Sequence, residues 1–215
     1  MKILIISTPR SGSTNLFNGL YKSMSFYRGF CEPFNPSSES LGDNNLNYSL
    51  AYNNVLVKIL VWDLVVHGYY KNYYELISRM FYKKNFNINN LKEIVYNSLV
   101  EYIKNFDKVI LLTRKNKKEA IKSMSHAMAT GNYHSKYNYS KNNITFPLFG
   151  ENIIYHLDNI LHQISKNLNF PLNYYEDIFS GNLQCIDTFV TENNLYLDNK
   201  ILYQFLDTKN RYKQN

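Results

Sequence analysis

The chain opens on Lys2-Ile3-Leu4-Ile5-Ile6-Ser7, an aliphatic run with no polar alternation. A strand with a solvent face alternates, so this run predicts a central parallel strand covered on both sides. Val55 to Asp63 and Lys108 to Arg114 have the same character, and a shorter apolar approach, Phe26 to Cys31, ends at Glu32. Between these signals the apolar period changes to three and four, as in Leu16, Phe17, Leu20 and Met24, which predicts helices. Leu64 to Lys104 reads as helical with a break at 85–90, a further helix starts just after Arg114, another carries Ile153 to Leu168, and Ile186 to Phe205 reads as a helix pair. Alternating strands and helices predict one α/β domain over residues 1–215, with a mainly parallel sheet of four to five strands, helices on both faces and the ligand at the carboxyl ends of the strands. Residues 37–54 and 132–148 lack periodicity and read as loops over that edge.

The first strand runs directly into Thr8-Pro9-Arg10-Ser11-Gly12-Ser13-Thr14-Asn15. Pro9 stops the strand, Gly12 permits a backbone conformation that other residues resist, and Ser11, Ser13 and Thr14 are good helix caps. A strand, a tight loop and a helix in this order aim unpaired N–H groups, hydroxyls and a positive helix end at one point, an arrangement suited to phosphate or sulfate. Arg10 strengthens that reading, because a cation beside a helix N-terminus is poorly placed unless an anion lies between them. The loop lacks the Gly-Lys-Ser/Thr of a nucleoside triphosphatase, and Lys108 to Arg114 ends in Arg where such an enzyme needs an Asp to hold Mg²⁺. Arg114 and Ser123, a strand-end Arg and a Ser on the following helix, are able to converge on a second phosphate, with Ser125 as a rival for the serine role.

Composition narrows the partners. A net charge of +7, from 24 Lys and Arg against 17 Asp and Glu, favours anions, but the basic residues are scattered and form no repeated basic face, so a small polyanion is expected rather than nucleic acid. Cys31 and Cys185 are far apart, which points to a reducing compartment without structural zinc. No apolar run approaches a membrane span, so a soluble, cytoplasmic protein is expected.

The segment from Thr8 to Leu16 resembles the 5′-phosphosulfate loop of sulfotransferases that use PAPS (3′-phosphoadenosine 5′-phosphosulfate), in the form with Arg in place of Lys. Arg114 with Ser123 is similar to the family's 3′-phosphate motif, in a spacing one residue longer than in the cytosolic enzymes. Glu119-Ala120, Ser123 and Ala129-Thr130-Gly131-Asn132-Tyr133 bring the register closest to the bacterial trehalose-sulfotransferase-like branch. Phe170 to Phe179 resembles the family's Tyr-Glu-Asp-Leu strand end, with carboxylates expected to cap the next helix and orient basic residues.

The resemblance implies a P-loop-like nucleotide-binding sulfotransferase fold, with PAPS as sulfuryl donor, PAP as product and no metal. Pro9, Arg10, Ser11, Gly12, Ser13, Thr14 and Asn15 would hold the 5′ group, Arg114 and Ser123 the 3′-phosphate, and the basic tail with Lys209 and Arg211 would cover the nucleotide. It also implies Glu32, set before Pro33, as general base, with a pKa expected to rise beside Phe30 and Phe34. Lys58 matches the Lys of the Lys-x-His strand of the aryl and steroid enzymes and would reach the sulfuryl group, but Leu60 stands where their His would be, which turns the assignment toward Glu32. The acceptor is expected to be a small molecule or a glycan-type hydroxyl or amine. Two other classes stay open at this point: a divergent nucleotide kinase, and a polyanion- or nucleotide-binding protein without catalysis.

Overall fold

The computed structural model describes residues 1–24, 26, 28–33, 52–64, 88–130 and 151–206. Numbering the described elements in chain order, the strands are β1 (Lys2–Ser7), β2 (Arg28–Cys31), β3 (Val55–Leu60), β4 (Lys108–Thr113) and β5 (Leu172–Tyr174). The helices are α1 (Ser13–Ser23), α2 (Ile88–Ile103), α3 (Lys117–Thr130), α4 (Glu151–Leu168), α5 (Tyr175–Ile178), α6 (Leu183–Glu192) and α7 (Asn199–Leu206). The strands form one sheet in the order β2-β3-β1-β4-β5, every neighbouring pair parallel. The coarse expectation of an α/β architecture on a parallel sheet holds.

β1 is central because its sequence leaves no face for water. Ile3 and Ile5 pack on one side with Leu16, Leu20, Ile186, Phe189 and Leu202, from α1, α6 and α7. Leu4 and Ile6 pack on the other with Leu99, Leu157 and Leu161, from α2 and α4. All four β1 side chains are completely buried, each worth about 1.5–3 kcal/mol relative to exposure. A polar replacement at any of them would leave an unmet hydrogen-bonding group in a two-sided core.

Boundaries differ from expectation where side chains take over backbone hydrogen bonds. The predicted strand to Asp63 ends at Leu60, since the Asp63 carboxylate accepts the Leu60 N–H at 2.7 Å and turns the chain. Of the predicted break at 85–90, residues 88–90 belong to α2 instead, while residues 65–87 lie outside the described residues. α3 begins at Lys117 rather than Lys115, with Asn116 as its cap: the Asn116 Oδ1 accepts the Glu119 N–H at 3.1 Å. Among the described residues no helix is long and apolar enough to cross a membrane.

β1 is also where the connections diverge, since β3 and β2 lie to one side of it and β4 and β5 to the other. In parallel α/β sheets a crevice opens beyond the strand ends at such a point. The loop after β1 occupies that position.

Candidate anion and proton-transfer site

The loop after β1 is held by its own polar atoms. The Ser11 hydroxyl donates to the Thr8 carbonyl at 2.8 Å and is buried, so it does not cap α1. Capping by a serine or threonine hydroxyl is thereby corrected: the cap position is Gly12, at φ 75°, and no side chain bonds the helix end. The Gly12 carbonyl accepts the Asn15 and Leu16 N–H groups, while the N–H groups of Ser13 and Thr14, in the first turn, have no intrahelical acceptor. Glycine is required twice over here. The left-handed backbone favours it, and a Cβ would lie 2.7 Å from the Tyr175 ring. Arg10, at φ 62°, is also left-handed, a costly conformation for any residue with a Cβ that the surrounding loop enforces.

Arg10 reaches across the sheet edge to α3, where its Nε donates to the Ser123 hydroxyl at 2.8 Å. Two positions 113 residues apart in sequence are therefore in direct contact. Ser125 lies two positions on and is buried. Pro9 and Ser13 are buried, while Thr14 and Asn15 are half-buried.

On the other side of β1, β2 and β3 present Glu32 and Lys58. The Glu32 N–H donates to the Lys58 carbonyl at 2.7 Å, extending the parallel ladder one step, and Glu32 then turns to φ 54°. The Lys58 ammonium, 1% exposed, pairs with Oε1 of Glu32, itself 14% exposed. Neither residue is a solvated strand-end group. Burial pushes Lys58 toward its neutral form, but the charge and hydrogen bond of Glu32 together with Cys31 and Asp63 outweigh that and hold its pKa above the ordinary lysine value. The expected influence of Phe30 and Phe34 on Glu32 is changed too: Phe30 packs into the core on the α2 and α4 side, Phe34 lies outside the described residues, and the immediate neighbour of the carboxylate is an ammonium.

Arg114 leaves the end of β4 and lies over the Tyr175 ring, its guanidinium carbon 4.8 Å from the centroid, with Nε 3.5 Å from Oε1 of Glu176. That Nε is buried and makes no hydrogen bond. Glu176 also accepts the Lys115 N–H at 2.8 Å and the Asn116 N–H at 3.0 Å, and Asp177 pairs with Lys115 at 2.6 Å. Burial of Glu176 works against its charge, but these backbone N–H groups and Arg114 win, so its pKa lies below the usual glutamate value. The carboxylates after β5 thus orient basic residues as expected. They do not cap the next helix: α6 is capped by Asn182, whose Oδ1 accepts the Gln184 N–H at 3.0 Å.

Beneath the loop a buried polar chain ties β1 to β4, α3 and α4. Thr113 donates to Asp158 at 2.6 Å, so in the 3.2 Å contact between Thr8 and Thr113 the hydroxyl of Thr8 is the donor. Lys117 donates to the same Asp158 oxygen at 2.6 Å. Every member has a partner, which rigidifies the floor.

Sequence reasoning missed three contributors. Asp63 is 1% exposed beyond β3 and interacts electrostatically with Glu32 and Lys58. Tyr175 covers both Gly12 and Arg114. Asp158 lies four residues after Ile154 and three before Leu161, at the edge of the apolar face of α4, and is buried. An acid directly after an apolar strand was the available signal for Asp63, and that helical spacing the signal for Asp158; nothing local marks Tyr175. Lys209 and Arg211, the loop 132–148 and residues 37–51 lie outside the described residues.

No protein-family model matches the chain, and no curated protein matches it. The site therefore stands on its own geometry. An Arg114 guanidinium whose Nε is ion-paired to Glu176 without a hydrogen bond, a hydrogen-bonded Arg10–Ser123 pair and an uncapped first turn of α1 share one edge of the sheet, and this donor set suits a polyanion.

Proposed function

We propose that this chain is a sulfotransferase that moves the sulfuryl group of PAPS to a hydroxyl or amine of a small-molecule or glycan-type acceptor. The observation that carries the reading is the Arg10–Ser123 hydrogen bond, which joins the loop assigned to the 5′ group to the helix assigned to the 3′-phosphate, on the same sheet edge as the Glu32–Lys58 pair. The donor, when bound, supplies an activated sulfur with a phosphate as leaving group.

The residues divide the work by charge. Arg10 and the first-turn N–H groups of Ser13 and Thr14 meet the negative charge that grows on the leaving phosphate oxygen, the electrostatic logic of phosphoryl transfer. Arg114, braced by Glu176 and Tyr175, and Ser123 bind the second phosphate. Glu32 takes the proton of the acceptor as the acceptor oxygen or nitrogen bonds to sulfur and the sulfur–oxygen bond to the phosphate breaks, its electron pair leaving on that oxygen. Lys58, beside Glu32, steadies the sulfuryl oxygens.

Titration calorimetry with PAP, AMP and ATP, each with and without Mg²⁺, tests the reading. Micromolar, metal-independent binding of PAP with much weaker AMP is expected; preference for ATP with Mg²⁺, or no nucleotide binding, would overturn it. Glu32→Gln should cut turnover by about a hundredfold or more and leave PAP affinity nearly intact.

A further inference from the structure

Glu32, Lys58 and Asp63 form a cluster that sulfuryl transfer by Glu32 alone uses only in part. Lys58 and Asp63 are each 1% exposed. Asp63 Oδ2 accepts the Leu60 N–H at 2.7 Å, whereas its Oδ1 is buried with no hydrogen-bond partner. The titratable groups that act on Asp63 are Glu32 and Cys31, at the end of β2, and Lys58 on β3. One ammonium, bonded to Glu32, therefore also acts on Asp63, in a cluster that reaches solvent at Glu32, 14% exposed.

Two carboxylates and one ammonium would leave a net negative charge buried, which is costly unless one carboxyl keeps its proton. Burial first, and then the charge of Glu32, push the Asp63 carboxyl up to about 8, against the Leu60 N–H and Lys58, which pull it down. Cys31 and Lys58 both lie above their ordinary values, Cys31 through burial and Lys58 against burial through Glu32, Cys31 and Asp63 acting together, so at neutral pH they hold their protons.

We propose that Asp63 is a positioning residue that alternates with Glu32 as counter-ion to Lys58: while Glu32 is the charged base Asp63 carries a proton, and when Glu32 is protonated Asp63 releases its own. In the balance, Glu32 gains the acceptor proton, Asp63 gives its proton to water, and the ammonium is never stranded; the reverse exchange resets the site. The source of the proton gained by Glu32 rests on the sulfuryl-transfer reading, while the alternation itself needs no nucleotide.

The experiment is a carboxyl ¹³C NMR titration of the full chain without ligand, with the Asp63 resonance assigned by Asp63→Asn, in wild type and in Glu32→Gln. Asp63 should titrate near pH 8 in wild type and bind its proton about tenfold or more weakly in Glu32→Gln, a shift of about one pH unit downward. A midpoint in the ordinary carboxylate range, or one unmoved by Glu32→Gln, overturns the alternation. Urea unfolding gives a second readout: wild-type stability should fall relative to Asp63→Asn between about pH 4 and about pH 8, and a constant difference would overturn the proposal. PAP titrated into the same samples separates the two ideas. Failure to bind PAP removes the sulfuryl-transfer reading and leaves the carboxyl result standing, whereas an unmoved Asp63 with PAP bound removes the alternation alone.

Discussion

Replacing Gly12 by Ala attacks the loop at two points at once. The backbone is at φ 75°, and the added Cβ would sit 2.7 Å from Cδ2 and Cε2 of Tyr175 and 3.1 Å from Cε2 of Phe179. Left-handed geometry costs a residue with a Cβ about 1–2 kcal/mol, and forcing a methyl into a filled space adds about 1–3 kcal/mol, so the loss should be about 2–5 kcal/mol. For a chain of 215 residues each kcal/mol lowers Tm by about 2–4 °C. The two terms separate in a double-mutant cycle, because Tyr175→Ala removes the obstructing ring and leaves the backbone strain. Gly12→Ala in the Tyr175→Ala background should then cost less, keeping the conformational part and the tight approach to Phe179. Urea unfolding followed through Trp62, the single tryptophan and 1% exposed, reports each corner of the cycle. An equal cost of Gly12→Ala in both backgrounds would refute the claim that the ring of Tyr175 is what requires glycine.

The remaining predictions concern charge. Lys58→Met strands Glu32 and should destabilise by about 3–5 kcal/mol, while Lys58→Met with Glu32→Gln should recover much of that loss in chemical denaturation. Glu176→Ala removes the acceptor for the Lys115 and Asn116 N–H groups and should cost about 1–2 kcal/mol, together with weaker PAP binding through a released Arg114. Because the folded pKa of Glu176 is depressed, its contribution is present above its unfolded value and is lost as pH falls; acid unfolding of Glu176→Gln should therefore be less steep than that of wild type. Arg114→Ala should weaken PAP binding in calorimetry before it alters turnover of saturated enzyme, and unchanged affinity would remove Arg114 from the phosphate site.

The sheet was readable because β1, β3 and β4 are continuous apolar runs, and a two-sided burial signal survives without knowledge of neighbours. The turn at Gly12 was readable for a similar reason, being a local backbone demand. The fate of the polar side chains was not. Ser11 was as good a helix cap on paper as any hydroxyl, yet it bonds back to Thr8, and only the three-dimensional path of the loop decides between those acceptors. Asp63 and Asp158 are acids in segments whose pattern permits exposure, and their burial follows from partners 31 and 45 residues away or from the end of an adjacent strand. Glu176 was legible as a carboxylate beside basic residues, but its use as the acceptor for α3 rather than α6 depends on β5 lying next to β4.

That last contact bears on the order in which the protein comes together. Glu176 fixes the backbone at Lys115 and Asn116 and stands beside Arg114 from about sixty positions downstream, and Tyr175 closes over Gly12 from still farther along the chain. During synthesis the loop after β1 emerges well before its two braces. All the strand pairings are parallel and need crossover connections, so the loop-closure entropy of a long segment must be met before any of these contacts forms. The nascent chain accordingly acquires a glycine turn well before it acquires an oriented Arg114, whose placement is a property of the finished fold rather than of its amino-terminal half.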